Sequence, residues 1–202
     1  MRASSARRRW SFRLGSLAGI PIYVHLTFFL IIPYIAFVAG GAGIAPVAQA
    51  LLLVLALFGC IVLHELGHAL TARRYGIKTR DIILLPIGGV ARLERMPRAP
   101  LQELWVAIAG PLVNVVIAIL LYLYLRASGG LASLDQLQPE SLSFAVQLFA
   151  ANIFIVLFNL LPAFPMDGGR MLRALLATRM EYAKATRIAA SIGQLMAFLF
   201  IF

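Results

Sequence analysis

Histidine, cysteine and acid are all scarce in these 202 residues: three His, one Cys and eight Asp plus Glu, against 18 Lys plus Arg. The lone Cys60 excludes an internal disulfide and leaves the redox compartment unreadable. Its apolar neighbours make it a small buried residue. Charge is short overall, at 13%, while 61% of the residues are hydrophobic. A soluble domain is usually about 45–50% apolar, so this composition excludes an ordinary soluble fold. The formal charge of +10 would suit nucleic acid in a soluble protein. Here the basic residues bracket apolar runs, so the lipid bilayer is the expected partner and no nucleic acid is.

Those runs place membrane spans at about 22–39, 46–72, 101–125, 144–164 and 183–202, with a basic amphipathic stretch at about 168–181. The positive-inside rule orders them. Segments 1–13, 73–98 and 170–187 hold 17 of the 18 basic residues, and segments 40–45 and 126–143 hold the remaining one. The alternation predicts a cytoplasmic N-terminus, five spans and an external C-terminus.

The second span carries His64-Glu65-Leu66-Gly67-His68. Two histidines four apart share one helix face and can grip one metal ion. The glutamate between them is the usual general base of a metal-dependent peptidase. At membrane depth, the motif points to water activation inside the bilayer.

Catalytic zinc usually takes three protein ligands and leaves one position for water. With Glu65 reserved as base, the third ligand is His25, Cys60 or another acid. Asp81, Glu94, Glu103, Asp135, Glu140 and Glu181 lie in or beside charged, polar or loop segments. Asp167 instead sits among Pro162, Pro165, Gly168 and Gly169, which break the fourth span. Broken backbone at membrane depth belongs where it lines a cavity, and an acid there is a functional candidate. The bland alternative is an N-cap for a helix starting near Gly168. Topology agrees with the ligand, because the second and fourth spans both run inward and bring His64 and Asp167 to the cytoplasmic part of the membrane.

Asn159, eight residues before Asp167, either donates to an oxyanion or substrate backbone or makes an interhelical hydrogen bond. His25 is a supporting group, a pore residue or a packing histidine. Residues 82–93, IILLPIGGVARL, are too short to span and hold Pro86, Gly88 and Gly89. They read as a re-entrant β-like segment whose edge receives an extended substrate, or as an interfacial loop.

The combination of HELGH (64–68), LLPIGGVARLE (84–94), AGPLVN (109–114) and NLLPAFPMDGGRMLRALL (159–176) resembles the site-2 protease family of intramembrane zinc metalloproteases. Within it, the chain is similar to the branch related to the sporulation sigma-factor-processing protease. The resemblance implies one zinc ion per chain, bound by His64, His68 and Asp167, with Glu65 as catalytic base. It also implies that Asn159 helps hold substrate or oxyanion and that Gly88 and Gly89 contact the substrate strand.

The implied fold is an all-α polytopic membrane protein of about five transmembrane helices, six in complete relatives, with the small β-like segment near 82–93. Residues 1–202 read as one transmembrane protease domain, without the C-terminal nucleotide-binding pair that relatives often carry. The implied activity is regulated intramembrane proteolysis in a prokaryotic cell membrane. Its substrates would be transmembrane proteins such as an anti-sigma factor or a membrane-tethered transcription regulator.

Gly-x-Ser-Gly is absent, as are Tyr-Asp and Gly-x-Gly-Asp, so rhomboid-type and presenilin-type chemistry find no support. Two other readings remain: a membrane metal transporter, which should have polar ligands along several spans, and a catalytically idle scaffold.

Overall fold

Local sequence makes the first elements strands rather than helix. In the computed structural model, which describes residues 10–39, 43–97, 99–130 and 143–201, β1 (Ser11–Leu17) and β2 (Ile20–His25) form a hairpin. Ala18 and Gly19 turn it with φ of 51° and 82°, the doubly left-handed geometry that suits a two-residue hairpin. Arg73 Nη1 donates to Ala18 O at 3.0 Å and ties this turn to the end of α2. A 3-10 turn (Leu26–Leu30) and the short α1 (Ile31–Ala39) follow.

The long helix α2 (Ile44–Arg74) is rich in Leu and Ala and ends on two arginines, which suit the negative end of its dipole. The hairpin β3 (Thr79–Leu85) and β4 (Gly88–Leu93) comes next, then α3 (Pro100–Ala127), opened by its proline. The chain closes with α4 (Phe144–Asn159), α5 (Asp167–Ala177) and α6 (Tyr182–Ile201).

The four strands make one sheet in the order β1-β2-β3-β4. The outer pairs are antiparallel, and β2 runs parallel to β3 with Ile22 opposite Ile82. One face of this sheet packs Ile20, Val24, Ile82 and Leu84 against Phe58 and Ala69 of α2. The sheet is thereby held beside the helix that carries the histidine pair, with β4 on the edge.

Helices α2 and α3 are long and apolar enough to cross a membrane. Helix α4, with 16 residues, reaches only about 24 Å at 1.5 Å per residue. The second, third and fifth spans expected from sequence coincide with α2, α3 and α6 to within about two residues. The count of five does not follow from helix length and apolarity alone, which single out two.

Three expectations need correction. The fold is mostly helical rather than all-α, because the β-like segment near 82–93 belongs to a sheet that also recruits residues 11–25. The expected first span at 22–39 begins inside β2 and is α-helical only from Ile31. Ile20, Tyr23 and Val24 are β-formers, and a short apolar run of them cannot be told from helix by pattern alone. The fourth span stops at Asn159 rather than 164, because Pro162 and Pro165 forbid further helix. The basic run Arg2, Arg7, Arg8 and Arg9 lies outside the described residues, as do Arg98, Asp135 and Glu140.

Candidate metal centre and substrate cleft

Glycine brings α2 and α3 together at the motif. A Cβ on Gly67 would stand 2.6 Å from Ala109 O, and one on Gly110 would stand 2.6 Å from His64 Nε2 and collide with His68 Nε2. The two helices therefore cross where neither has a side chain, and Gly110 leaves the space into which both imidazoles project. Gly67 is thus a packing residue inside the motif.

Asp167 comes from the opposite side. It is the first residue of α5, and the N-cap position is taken by Met166. Its Oδ2 lies 3.1 Å from His64 Nε2 and 3.0 Å from His68 Nε2, and the two Nε2 atoms are 3.1 Å apart. All three residues are buried. Gly168 and Gly169 let α5 begin there: a Cβ on Gly169 would stand 2.7 Å from Phe164 N, and one on Gly168 would meet the Leu160 and Leu161 carbonyls.

The polarity of this cluster can be read from its outer partners. Asn152 Nδ2 donates to Leu148 O at 2.9 Å, and a carbonyl can only accept. That fixes Asn152 Oδ1 as acceptor for Asn114 Nδ2, at 2.8 Å. Asn114 Oδ1 is then left to accept from His64 Nδ1, at 2.5 Å. His68 Nδ1 donates to Val106 O at 2.6 Å. Both imidazoles thus carry their proton on Nδ1 and turn a lone pair inward. Two lone pairs and a carboxylate oxygen converge with no hydrogen to share, an arrangement that a cation satisfies. Nitrogen and carboxylate donors with room for a further ligand suit zinc. The three residues form a group able to hold a metal ion.

Glu65 stands beside the centre, half-buried, and its Oε2 accepts from Ala91 N at 2.9 Å. That amide points away from β3, so by the strand's alternation the Gly89 N–H and C=O point the same way. A Cβ on Gly89 would stand 2.9 Å from Glu65 Cγ and 2.8 Å from Ile61 Cγ2. The open edge of β4 can approach Glu65 only because position 89 has no side chain. The cleft here, about 450 Å³, is lined by His64, Glu65, Gly88, Gly89, Asn159 and Met166 among others.

Asn159 lines this cleft, but its Nδ2 donates back to Ile155 O at 3.0 Å, one turn up its own helix. His25 stands apart, with its Nδ1 accepting from Thr27 N at 3.3 Å as a local cap. Asn114 and Asn152 were not singled out from sequence. An intramembrane Asn is costly, and two of them on apolar helices were the available signal.

A family model, described as peptidase family M50, matches residues 52–144 and 131–200. The chain belongs to peptidase family M50, the site-2 protease family. A zinc metalloprotease of Methanocaldococcus jannaschii is 40% identical over 95% of this chain and 53% of its own length. Stage IV sporulation protein FB of Bacillus subtilis is 32% identical over 63% of this chain and 41% of its own. The solved site-2 protease from Methanocaldococcus jannaschii superposes with a TM-score of 0.67 at 40% identity, covering 94% of this chain and 82% of that one. The chain spans about half the length of the curated relatives it matches. Family membership and the two apolar helices mark this as an integral membrane protein.

Proposed function

We propose that the protein is a zinc-dependent intramembrane endopeptidase that cuts transmembrane segments of membrane-anchored regulatory proteins near the cytoplasmic side. The observation that carries this reading is the placement of Glu65 between a three-acceptor metal centre and the open edge of β4. His64, His68 and Asp167 would hold one zinc ion, which supplies a Lewis acid and lowers the pKa of a neighbouring water. Glu65 takes the proton from the attacking water and returns it to the leaving amide nitrogen. A helical substrate must unwind to be cut, and β4 offers outward amides and carbonyls to an extended strand. Gly88 and Gly89 give that strand close approach. Asn159, one rotamer away from releasing the Ile155 carbonyl, supplies a donor to substrate backbone or oxyanion.

Residues 1–202 act as one transmembrane protease domain with the N-terminus in the cytoplasm of a prokaryotic cell. A relative that is a sporulation protein fits a regulatory substrate, such as an anti-sigma factor or a membrane-tethered transcription regulator. A metal transporter would need polar ligands along a path, and the described helices bury such groups chiefly around this one centre.

The test is cleavage of a designed single-span substrate by purified protein in detergent. Wild type should cut, chelator should abolish cleavage and zinc should restore it. Glu65→Gln should lose cleavage by at least about a thousandfold while still binding stoichiometric zinc. Wild-type cleavage by Glu65→Gln would sink the mechanism, and zinc binding without cleavage of any span would favour the transporter.

A further inference from the structure

The cleft beside Glu65 is lined by β4 residues Gly88 to Val90 and by Pro165 and Met166 just before α5. The next length of the same chain, Ala91 to Met96, lines a second cleft of about 620 Å³ together with Arg170 of α5. The two clefts share no lining residue, but both follow β4 and both reach the start of α5. The first cleft is mainly apolar and holds the reacting centre. The second carries Arg80, Arg92, Arg95 and Arg170 against one acid, Glu94.

The four arginines are not equally engaged. Arg92 is committed to Asp81, its Nε donating to Oδ1 at 2.5 Å. Arg170 leans on Asp167 Oδ1 at 3.6 Å and on Met96 Sδ. Arg80 and Arg95 are exposed and have no ion-pair partner among the described residues. Two unengaged guanidinium groups and one loosely held one therefore line the second cleft, on the side toward which a strand lying on β4 would leave the active centre.

We infer that this second cleft is an anion-accepting extension of the substrate site, and that it takes acidic side chains in the polar flank of the substrate within about five residues of the cut bond, at about 3.3 Å per residue. The inference rests on the proposed protease reading and deepens it by naming the substrate class. It also gives discrimination. Membrane proteins ordinarily carry Lys and Arg on their cytoplasmic flanks. Such flanks are repelled by Arg80 and Arg95, and a span with an acidic flank is admitted.

The experiment uses two single-span substrates that differ only in this flank, one with three Asp and one with three Lys, cleaved by the wild-type protein in neutral detergent. The Asp substrate should show kcat/KM higher by at least about tenfold at low salt, and the gap should narrow above about 0.5 M salt, where the screening length falls to a few ångströms. The Arg80→Glu/Arg95→Glu variant should reverse the preference while its zinc content stays unchanged. Equal cleavage of both substrates at low salt would overturn the anion extension and leave the protease standing. Cleavage of neither would remove the protease reading itself. If the preference appears only in vesicles with anionic lipid and vanishes in neutral detergent, the arginines serve lipid headgroups and the inference fails.

Discussion

Each imidazole offers its Nε2 lone pair because a partner holds the proton on Nδ1, and for His64 that partner is set two residues away. Removing the acceptor at Asn114 frees the tautomer, and removing Asn152 lets the Asn114 amide turn its donors toward His64. Asn114→Leu and Asn152→Leu should weaken zinc binding by about 10–100-fold, the usual range for such supporting groups. Asn152→Asp keeps an acceptor for Asn114 Nδ2 and, as the neutral acid, a donor for Leu148 O, so it should bind zinc more tightly than Asn152→Leu. Competition with a chromophoric chelator reads the affinities, and 15N spectra of the three histidines in metal-free protein read the tautomer. Loss of affinity in Asn152→Asp as large as in Asn152→Leu would mean that Asn152 only packs. Gly89→Ala tests the other flank of the centre. Its methyl group must displace Glu65 or Ile61, so cleavage should fall at least about tenfold with zinc binding retained; unchanged cleavage would show that β4 need not come so close. The His64-Glu65-His68 pattern stood out because helix geometry fixes its spacing, and Asp167 because it is an acid in the broken backbone after α4; that the two histidines and this acid come together is seen only in the structure. Asn114 and Asn152 were not, because a hydrogen-bond chain between helices leaves no periodic mark on either.

Among the helices, α5 is the least apolar in sequence, yet it must place Asp167. An ion pair does part of this. Arg173 Nε donates to Glu103 Oε1 at 2.9 Å, its Nη2 makes a second bond to the same oxygen, and the guanidinium lies 5.2 Å from the ring centres of both Phe164 and Tyr182. One side chain thus joins α3, α6 and the loop before Asp167 to α5. Glu103 is 2% exposed, so removing its partner strands a charge. Arg173→Met should cost about 3–5 kcal/mol of stability, and adding Glu103→Met should recover most of it. Thermal midpoints in detergent decide this, and a single variant as stable as wild type would show that α5 is held by other contacts. Sequence gave α2, α3 and α6 readily, because long apolar runs with basic ends have few alternatives. The sheet was half visible. Gly88, Gly89 and Pro86 marked the β3–β4 turn, but β2 pairs with β3 across 53 intervening residues (Ile22 meets Ile82 only in space), and no local pattern encodes that.

Across the whole molecule, the metal centre is the place where distant parts of the chain are tied. Its histidines come from α2 and its carboxylate from α5, 103 and 99 residues apart. The three inward acceptors repel one another when no cation lies between them, so α5 gains little from approaching α2 until one is bound. A ligand that binds only the folded, assembled centre stabilises it by mass action, by about 2.7 kcal/mol at a hundred times its dissociation constant. Chelation should therefore lower the unfolding temperature in detergent, and zinc at that excess should restore it. Asp167→Ala removes the carboxylate's share of the repulsion together with the third ligand, and leaves only the two imidazole lone pairs facing each other. It should make the metal-free protein at least as stable as wild type and should abolish most of the zinc-dependent rise. Glu65→Gln, which leaves all three acceptors in place, should keep the full rise. If Asp167→Ala showed the same zinc-dependent shift as wild type, the third ligand would lie elsewhere and the metal would not be what ties α5 to α2. A shift lost in Asp167→Ala and kept in Glu65→Gln would separate holding the metal from using it, which activity measurements on the same variants cannot do.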